Sequence, residues 1–199
     1  RSSAASDVYK RQKSNSVLIN KGNVLIAAAK QYNIDPVYLL CQTILETGYG
    51  TSILSQGKAI TTVVSGSSVV RDSSGNVTGF KTVNGKYITS TISKKMVYNL
   101  YGIKAYDSNP QLCGFSYAYY QGWTSVDAAI YGAAKYVSQD YIHNQTYHQN
   151  TLYKFRYNPN INYLWHEYAT DPSYAKQIAT IMYDPVSYTH LTLPTILRV

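Results

Sequence analysis

The chain has 199 residues, of which 45% are hydrophobic, enough for one domain with a sizeable buried core. Its formal charge is +8, but no run of lysines and arginines exceeds two, which indicates a polyanionic environment rather than a specific partner. No apolar run approaches the roughly 20 residues of a membrane span. The 22 tyrosines favour aromatic surfaces with wet hydroxyls, which suit sugars or nucleobases.

Both ends of the chain differ in character from the rest. Residues 1–12 (RSSAASDVYKRQ) and 185–199 (PVSYTHLTLPTILRV) resemble translated adapter sequence, so we exclude them from the fold prediction as foreign tails. Residues 13–184 retain 14 basic and 9 acidic residues, a net charge of +5. We therefore predict one basic domain over 13–184.

Two helices are predicted at the start of this domain. The first covers 18–32 (LINKGNVLIAAAKQY), which has an apolar stripe at helical spacing. Asp35 suits the N-cap of the second helix, and Pro36 suits its first position. The second helix has a broad apolar face, which predicts burial. We expect it to end near Thr47 and Gly48, because glycine accommodates the left-handed conformation of a C-cap.

The amino-acid composition changes over 60–92, which is rich in Thr, Val, Ser and Gly. Turn signals at 73–76 (SSGN) and at 84–85 (NG) predict a β-hairpin or a small meander. This segment is the predicted β lobe of the domain.

The rest of the domain is predicted mainly as helix. Residues 96–103 (MVYNLYGI) are apolar and aromatic, while 106–121 are rich in Tyr, Gly and Asn and predict a loop. Thr124, followed three residues later by an acid, resembles a capping box and predicts a helix to about residue 141. The last helix is predicted over 173–184, after the cap-and-proline pair at 171–172. The resulting fold class is α+β, mainly helical with a small β-hairpin lobe.

Glu46, one of only two glutamates, lies in the stretch ILETGYG, where an apolar helix meets glycines. The helix dipole disfavours a negative charge at a C-terminus by roughly 0.3–1 kcal/mol, which favours a raised pKa for Glu46. A carboxyl that is protonated near neutral pH at the edge of a cleft suits a general acid for glycoside cleavage. The alternative is a solvated glutamate in a fraying last turn, and position alone leaves both open.

Five ordered blocks favour the first alternative. They are YNIDP leading into ILETGYG (32–50), YNLYGI (98–103), AYDSNP (105–110), QGW (121–123) and YATDPSYA (168–175). Over roughly 18–184, the chain resembles the endo-β-N-acetylglucosaminidases of bacterial autolysins, glycoside hydrolase family 73 of the lysozyme-like superfamily.

The resemblance implies a lysozyme-like fold and cleavage of the β-1,4 bond after N-acetylglucosamine in peptidoglycan, with Glu46 as the general acid. The other site residues that it implies are Tyr98, Asn99, Tyr101, Gly48, Tyr106 and Tyr168. Core packing below the cleft is the alternative for Tyr98 and Tyr101, whereas a helix N-cap fully explains Asp171.

A second carboxylate is used by most glycosidases, roughly 5 Å from the acid as nucleophile or roughly 6.5–9.5 Å from it as base. The resembled family places one on the β lobe, where Asp72 is the only acidic residue between Glu46 and Asp107. Asp72 is therefore the candidate, with a solvated turn residue as the alternative, while Glu167 lies outside the lobe. A substrate-assisted path, in which the sugar's acetamido group attacks, stays open, and Tyr168 would then orient the acetamide.

Other chemistries lack a sequence signal. No HExxH or Cys-His spacing, glycine-rich phosphate loop or GxSxG elbow occurs, so we predict neither a metal nor a cofactor. Cys41 lies in an apolar run and Cys113 in the predicted loop, without motif spacing, so we expect free thiols.

Several rival functions share these features. A muramidase or lytic transglycosylase of the same superfamily would also use Glu46, and an inactive wall-binding module would use only the tyrosines. A single-strand nucleic-acid binder is disfavoured, because the lysines are dispersed and no RNP, KH or zinc-knuckle pattern occurs. We therefore predict a secreted, monomeric hydrolase of the cell wall. Its partners would be peptidoglycan glycan strands, without nucleic acid or a membrane span.

Overall fold

The computed structural model describes residues 14–183, and the predicted foreign tails lie outside the described residues. The helices are α1 (Gly22–Gln31), α2 (Pro36–Glu46), α3 (Ile53–Gln56), α4 (Pro110–Gln121), α5 (Val126–Val137), α6 (Leu152–Arg156) and α7 (Tyr174–Tyr183). The strands are β1 (Lys58–Val64), β2 (Val69–Arg71), β3 (Val77–Phe80) and β4 (Thr89–Val97). The described chain forms two compact units, one of residues 14, 18–45 and 133–183 and the other of residues 15–17 and 46–132.

The first unit is helical. Its buried apolar residues include Leu25, Ala28, Leu39, Phe155 and Ile178. Helix α1 begins at Gly22 rather than at the predicted residue 18, because Asn20 takes a left-handed conformation with φ of +60°. The segment before α1 is therefore a turn, in which the Lys21 amide donates to the Leu18 carbonyl.

Helix α2 begins as the sequence predicts. The Asp35 carboxylate accepts a hydrogen bond from the Tyr38 amide at 2.8 Å, which caps the helix, and Pro36 occupies its first position. Every residue from 38 to 44 is buried, as expected from its broad apolar face. The helix ends at Glu46, the first residue of the second unit's long segment.

The second unit contains all four strands. β1 pairs with β4 and β2 pairs with β3, both antiparallel, as two separate two-stranded sheets. The predicted turn at 84–85 is a two-residue hairpin turn in which both residues have positive φ, +49° at Asn84 and +74° at Gly85. The predicted α+β class with a small β lobe is confirmed, with strands that reach from 58 to 97 rather than from 60 to 92.

The loop predicted over 106–121 is wrong, because residues 110–121 form helix α4. A Cβ at Gly114 would lie 3.1 Å from Leu54 and 3.2 Å from Ala105, so glycine here permits close packing of the helix. The Ser116 hydroxyl accepts a hydrogen bond from the Val64 amide at 2.7 Å, which joins α4 to β1. Burial of its central residues, 113–118, on all sides thus stabilises a helix whose composition favours a loop.

The N-cap of helix α5 (Val126–Val137) is one residue later than predicted. The Ser125 hydroxyl, not that of Thr124, accepts from the amide of Ala128 at 3.1 Å. Regular α-helix ends at Val137, and a π-helical turn, Ser138–Ile142, continues to the predicted end near residue 141. Trp123 packs on this helix where Gly132 leaves room, since a Cβ there would lie 2.1 Å from the indole ring.

Cys41 and Cys113 are both buried free thiols, as predicted, although Cys113 lies in helix α4 rather than in a loop. Burial raises the pKa of the Cys113 thiol. No helix within residues 14–183 has the length and hydropathy to cross a bilayer.

Candidate active site

A cleft of about 900 Å³ lies in the second unit. Its walls come from the end of α2, from α3, from β1, from the segment after β4 and from the first half of α4. The residues that line it are Glu46, Ser52, Ile53, Leu54, Lys58, Ala59, Ile60, Thr61, Thr62, Leu100, Tyr101, Gly102, Asn109, Pro110, Gln111, Leu112 and Phe115. The cleft is therefore open, mixed in polarity and large enough for sugar rings.

Glu46 is the last residue of α2 and is half-buried at the wall of this cleft. The chain reverses directly after it, because Gly48, Tyr49 and Gly50 are three consecutive left-handed residues with φ of +54°, +63° and +76°. A non-glycine residue is uncommon in this conformation, so Tyr49 is held there by the surrounding turn. Its side chain is exposed.

The turn after Glu46 is fixed by buried hydrogen bonds. Thr47 is fully buried, and its hydroxyl accepts from the Gly50 amide at 2.7 Å. The Gly50 carbonyl in turn accepts from the Val17 amide at 3.0 Å and from the Gln56 side chain at 2.8 Å. These hydrogen bonds thus hold in place the backbone turn that directly follows Glu46.

Asn99 is the centre of a second fixed turn beside the cleft. It is fully buried, and its amide nitrogen donates to the carbonyls of Ile103 and Gly114, each at 2.9 Å. Its side-chain oxygen accepts from the Ile103 amide at 2.9 Å. The turn that it closes carries Tyr101 and Gly102, both of which line the cleft. Asn99 therefore holds the cleft wall from behind.

Tyr98 and Tyr101 differ in their surroundings. Tyr101 is buried and lines the cleft. Tyr98 is half-buried and outside the lining, and its ring packs on the backbone of Gly57. Of the two predicted residues, Tyr101 therefore lies in the cleft wall, whereas Tyr98 packs outside it.

The lining of the cleft also includes Lys58 and Gln111, which the sequence analysis did not predict as site residues. Lys58, the first residue of β1, donates from Nζ to the Gln111 side chain of α4 at 3.2 Å. Gln111 was missed because 106–121 was predicted as a loop. A signal was present, since Asn109 caps α4 and Pro110 follows it, the same arrangement as at Asp35 and Pro36.

Asp72, Gly48 and Tyr106 lie in the same unit as Glu46 but are not among the residues that line the cleft. Asp72 is exposed in the turn between β2 and β3, where it accepts from the amides of Ser74 and Asn76, each at 2.9 Å. Hydrogen bonds from Asn76, first from its side chain and then from its backbone, lower the pKa of Asp72.

Gly48 is exposed within the left-handed turn after Glu46. The Tyr106 hydroxyl lies against Gly79 of β3, where a Cβ would approach it to 2.8 Å. Partial burial raises the pKa of Tyr106.

Tyr168 belongs to the first unit. It is half-buried, and its ring lies 5.0 Å from that of Tyr141 and 5.2 Å from that of Phe155. Its backbone amide donates to the Phe155 carbonyl at 2.8 Å. Tyr168 is therefore fixed in an aromatic cluster, while Glu167 beside it pairs with Arg156 at 2.9 Å.

Within residues 14–183, no three or more His, Cys, Asp and Glu side chains form a group that could hold a metal ion.

Comparison with known proteins identifies the family. Residues 22–185 match the glucosaminidase family model, described as mannosyl-glycoprotein endo-beta-N-acetylglucosaminidase. The chain is 40% identical over 167 residues to the beta-N-acetylglucosaminidase of Bacillus subtilis (strain 168), a match that covers 84% of this chain and 15% of that protein. It is 36% identical over 179 residues to the bifunctional autolysin of Staphylococcus epidermidis, covering 90% of this chain and 11% of that protein.

Solved structures agree with these matches. A catalytic glutamate-to-alanine mutant of Staphylococcus aureus autolysin E, in complex with the disaccharide NAG-NAM, aligns with a TM-score of 0.58 and 31% identity, covering 92% of this chain and 66% of that one. The S. aureus major bifunctional autolysin aligns with a TM-score of 0.54 and 32% identity, covering 90% of this chain and 62% of that one.

The chain spans less than a sixth of the length of these two curated relatives. The family model nevertheless covers most of this chain, and the predicted family is confirmed. The chain belongs to the glucosaminidase family of glycoside hydrolases.

Proposed function

We propose that this chain cleaves the β-1,4 bond after N-acetylglucosamine in peptidoglycan, with Glu46 as the general acid. The observation that carries the proposal is the position of Glu46, half-buried at the wall of an open cleft of about 900 Å³. Among the residues that line this cleft, Glu46 is the only acidic one. The bond to be broken would lie beside this carboxyl, which would protonate the leaving oxygen.

Similarity to the autolysins also supports peptidoglycan as the substrate class. The S. aureus autolysin E structure holds the disaccharide NAG-NAM, and its catalytic mutant replaces a glutamate. The bifunctional autolysin of S. epidermidis is a further relative of this chain. These relatives favour an enzyme of the cell wall, acting outside the cytoplasm. We infer that a single copy of the chain is sufficient for the reaction.

The substrate-binding roles follow from the positions of the predicted residues. Tyr101 would contact the sugar directly, since it lines the cleft. Gly48 would let the glycan pass close to the turn after Glu46, where a Cβ would add bulk. Asn99 and Tyr98 would act through the turns they hold. Tyr106, over β3, would contact a glycan that extends along the β lobe.

The second group of the reaction has two candidates. Asp72, the acidic residue of the β lobe, would serve as a base that activates water, although the hydrogen bonds that lower its pKa also make it a weaker base. In the alternative route, the acetamido group of the substrate attacks the anomeric carbon and displaces the leaving group that Glu46 protonates. Tyr168 would then orient the acetamide. Both routes retain Glu46 as acid.

The test is digestion of purified peptidoglycan by the full chain. New ends are reduced with borohydride and identified by mass spectrometry. We expect reduced N-acetylglucosamine ends from the wild type and about a 10²–10⁴-fold lower rate from Glu46→Gln. Glu167→Gln is the matched control, since it alters the only other glutamate of the chain and should retain activity.

The identity of the new ends separates the rival functions. Reduced N-acetylmuramic acid would assign a muramidase, and an anhydro end would assign a lytic transglycosylase. No release of any end by the wild type would contradict an enzymatic role and leave a wall-binding module. Equal rates for wild type and Glu46→Gln would contradict the assignment of the acid.

A further inference from the structure

The net charge of the chain is concentrated in one segment, residues 58–97, which we call the basic lobe. This segment comprises the four strands and their connections and contains six basic residues against one acidic residue, Asp72. The other described residues contain seven basic and seven acidic side chains. The basic lobe therefore carries the whole net charge of +5 of residues 14–183, although its lysines look dispersed in the sequence.

The six cations of the basic lobe are available to a ligand. All are exposed, and they are Lys58, Arg71, Lys81, Lys86, Lys94 and Lys95. Within residues 14–183, none of them forms an ion pair. Two are hydrogen-bonded: Lys58 to the Gln111 side chain at 3.2 Å and Arg71 to the Gly75 carbonyl at 2.7 Å. Because no carboxylate in the described part of the chain pairs with these side chains, their charge acts on groups in solution.

The basic lobe is continuous with the cleft. In the β1–β4 ladder, Lys58 pairs with Val97 and Ile60 pairs with Lys95, so Lys58 and Lys95 are diagonal neighbours across the two strands. Lys58 also lines the cleft that contains Glu46. A polymer attached to a glycan in the cleft would therefore meet the lysines of β4 without leaving the surface of the unit.

We propose that the basic lobe binds an acidic phosphodiester polymer that is attached to the glycan being cut, an inference that rests on the proposed function. Lysine ammonium groups on flexible stems suit single, spaced phosphates, because each is a point charge that needs no fixed geometry. Exposed aromatic rings, on which single-stranded nucleic acids stack, do not occur in the basic lobe, whose aromatic residues Phe80 and Tyr87 are both half-buried. A polymer with phosphates but without bases fits this surface.

The experiment measures binding of the full chain, carrying Glu46→Gln to prevent digestion, to insoluble peptidoglycan over a range of salt concentrations. One preparation retains its phosphodiester polymer, and in the other hydrofluoric acid has removed it. The lobe variant combines Lys81→Gln, Lys94→Gln and Lys95→Gln. The matched control combines Lys30→Gln, Lys135→Gln and Lys176→Gln, three exposed lysines outside the lobe, so both lose the same charge.

We expect the lobe variant to bind the polymer-bearing wall about tenfold more weakly at low salt, with a shallower salt dependence, and the control to stay within about twofold of the parent. On the stripped wall all three proteins should bind alike. Thermal unfolding checks that both variants are folded. Equal losses in both variants, or the same lobe-dependent loss on the stripped wall, would overturn the proposal.

Two further measurements test for other binding partners and for failure of the proposed hydrolase function. Tighter lobe-dependent binding to single-stranded DNA or to vesicles of anionic phospholipid than to the polymer-bearing wall would overturn the proposal and assign the surface to that partner. With Glu46 restored, we expect the lobe variant to digest stripped peptidoglycan at the wild-type rate. If the wild type does not digest it, the proposed hydrolase function fails while the binding result still stands.

Discussion

The ring of Tyr98 lies against the backbone of Gly57, so closely that a Cβ at position 57 would meet two ring carbons at 2.5 Å. It would also lie 2.9 Å from the Val97 carbonyl oxygen. Gly57 has φ of 76° and ψ of 168°, a conformation that is essentially restricted to glycine. Because Gly57 joins α3 to β1, both of which line the cleft, this contact fixes the angle between two cleft walls.

Gly57→Ala is expected to lower the free energy of unfolding by about 2–6 kcal/mol. Backbone strain contributes about 1–3 kcal/mol and the overlap with Tyr98 contributes about 1–3 kcal/mol. Urea denaturation measures the loss. The control is Gly75→Ala, where φ is +82° but nothing lies within 4 Å of the added Cβ, so only the strain should appear. Equal losses in the two variants would show that the Tyr98 contact contributes nothing.

Asn99→Ala is expected to destabilise the chain by about 3 kcal/mol. It leaves the carbonyls of Ile103 and Gly114 and the Ile103 amide without their side-chain partner, and each buried group left unsatisfied costs about 1–3 kcal/mol before water compensates. Asn109→Ala, which removes an exposed helix cap, should cost about 1 kcal/mol.

Measurements of activity distinguish two roles for Asn99, which are support of the cleft wall and direct contact with the sugar. If it holds the cleft wall, the loss of kcat/KM in Asn99→Ala should accompany the loss of stability, because Tyr101 shifts. A variant with wild-type urea denaturation but reduced kcat/KM would instead indicate direct contact between Asn99 and the sugar.

The sequence predicts those elements whose signals are local. The Asp35 cap, the glycine-rich turn after Glu46 and the turn at 84–85 each depend on neighbouring residues, and each forms as predicted. Helix α4 was not predicted, because its stability comes from packing of Gly114 and Ser116 against residues distant in the chain. The cleft is hard to predict for the same reason, since Lys58 and Gln111 are 53 positions apart yet hydrogen-bonded.

The neighbours of His166 disfavour the charged form of its imidazole. The Gln149 amide nitrogen donates to the carbonyls of Lys154 and His166, so its oxygen faces His166 Nδ1 at 2.6 Å and that nitrogen carries the proton. Tyr147 stacks on the imidazole with ring centroids 3.5 Å apart. Desolvation by these neighbours lowers the pKa of His166 below its usual value of 6.5.

His166 should make the stability of the chain depend on pH. Between the lowered folded pKa and 6.5, the unfolded state binds the proton and the folded state does not, so the free energy of unfolding falls as the pH falls through this window. We expect His166→Gln to lose less stability than the wild type between pH 7.5 and 5.5 in urea denaturation. Proton NMR of the wild-type ring should give a titration midpoint below 6.5, and a midpoint at or above this value would contradict the assignment.

Asp72→Asn distinguishes the two routes for the second step of the reaction. Asparagine keeps the side-chain oxygen that accepts from the amides of Ser74 and Asn76 but loses the bond from the Asn76 side chain, so the turn should hold with a small loss of thermal stability. If Asp72 is the catalytic base, loss of its charge should lower the rate on peptidoglycan about 10²-fold or more. Asp107→Asn is the matched control for an exposed carboxylate in the same unit. A rate within about twofold of wild type would remove Asp72 from the mechanism and leave the substrate's own acetamido group as the nucleophile.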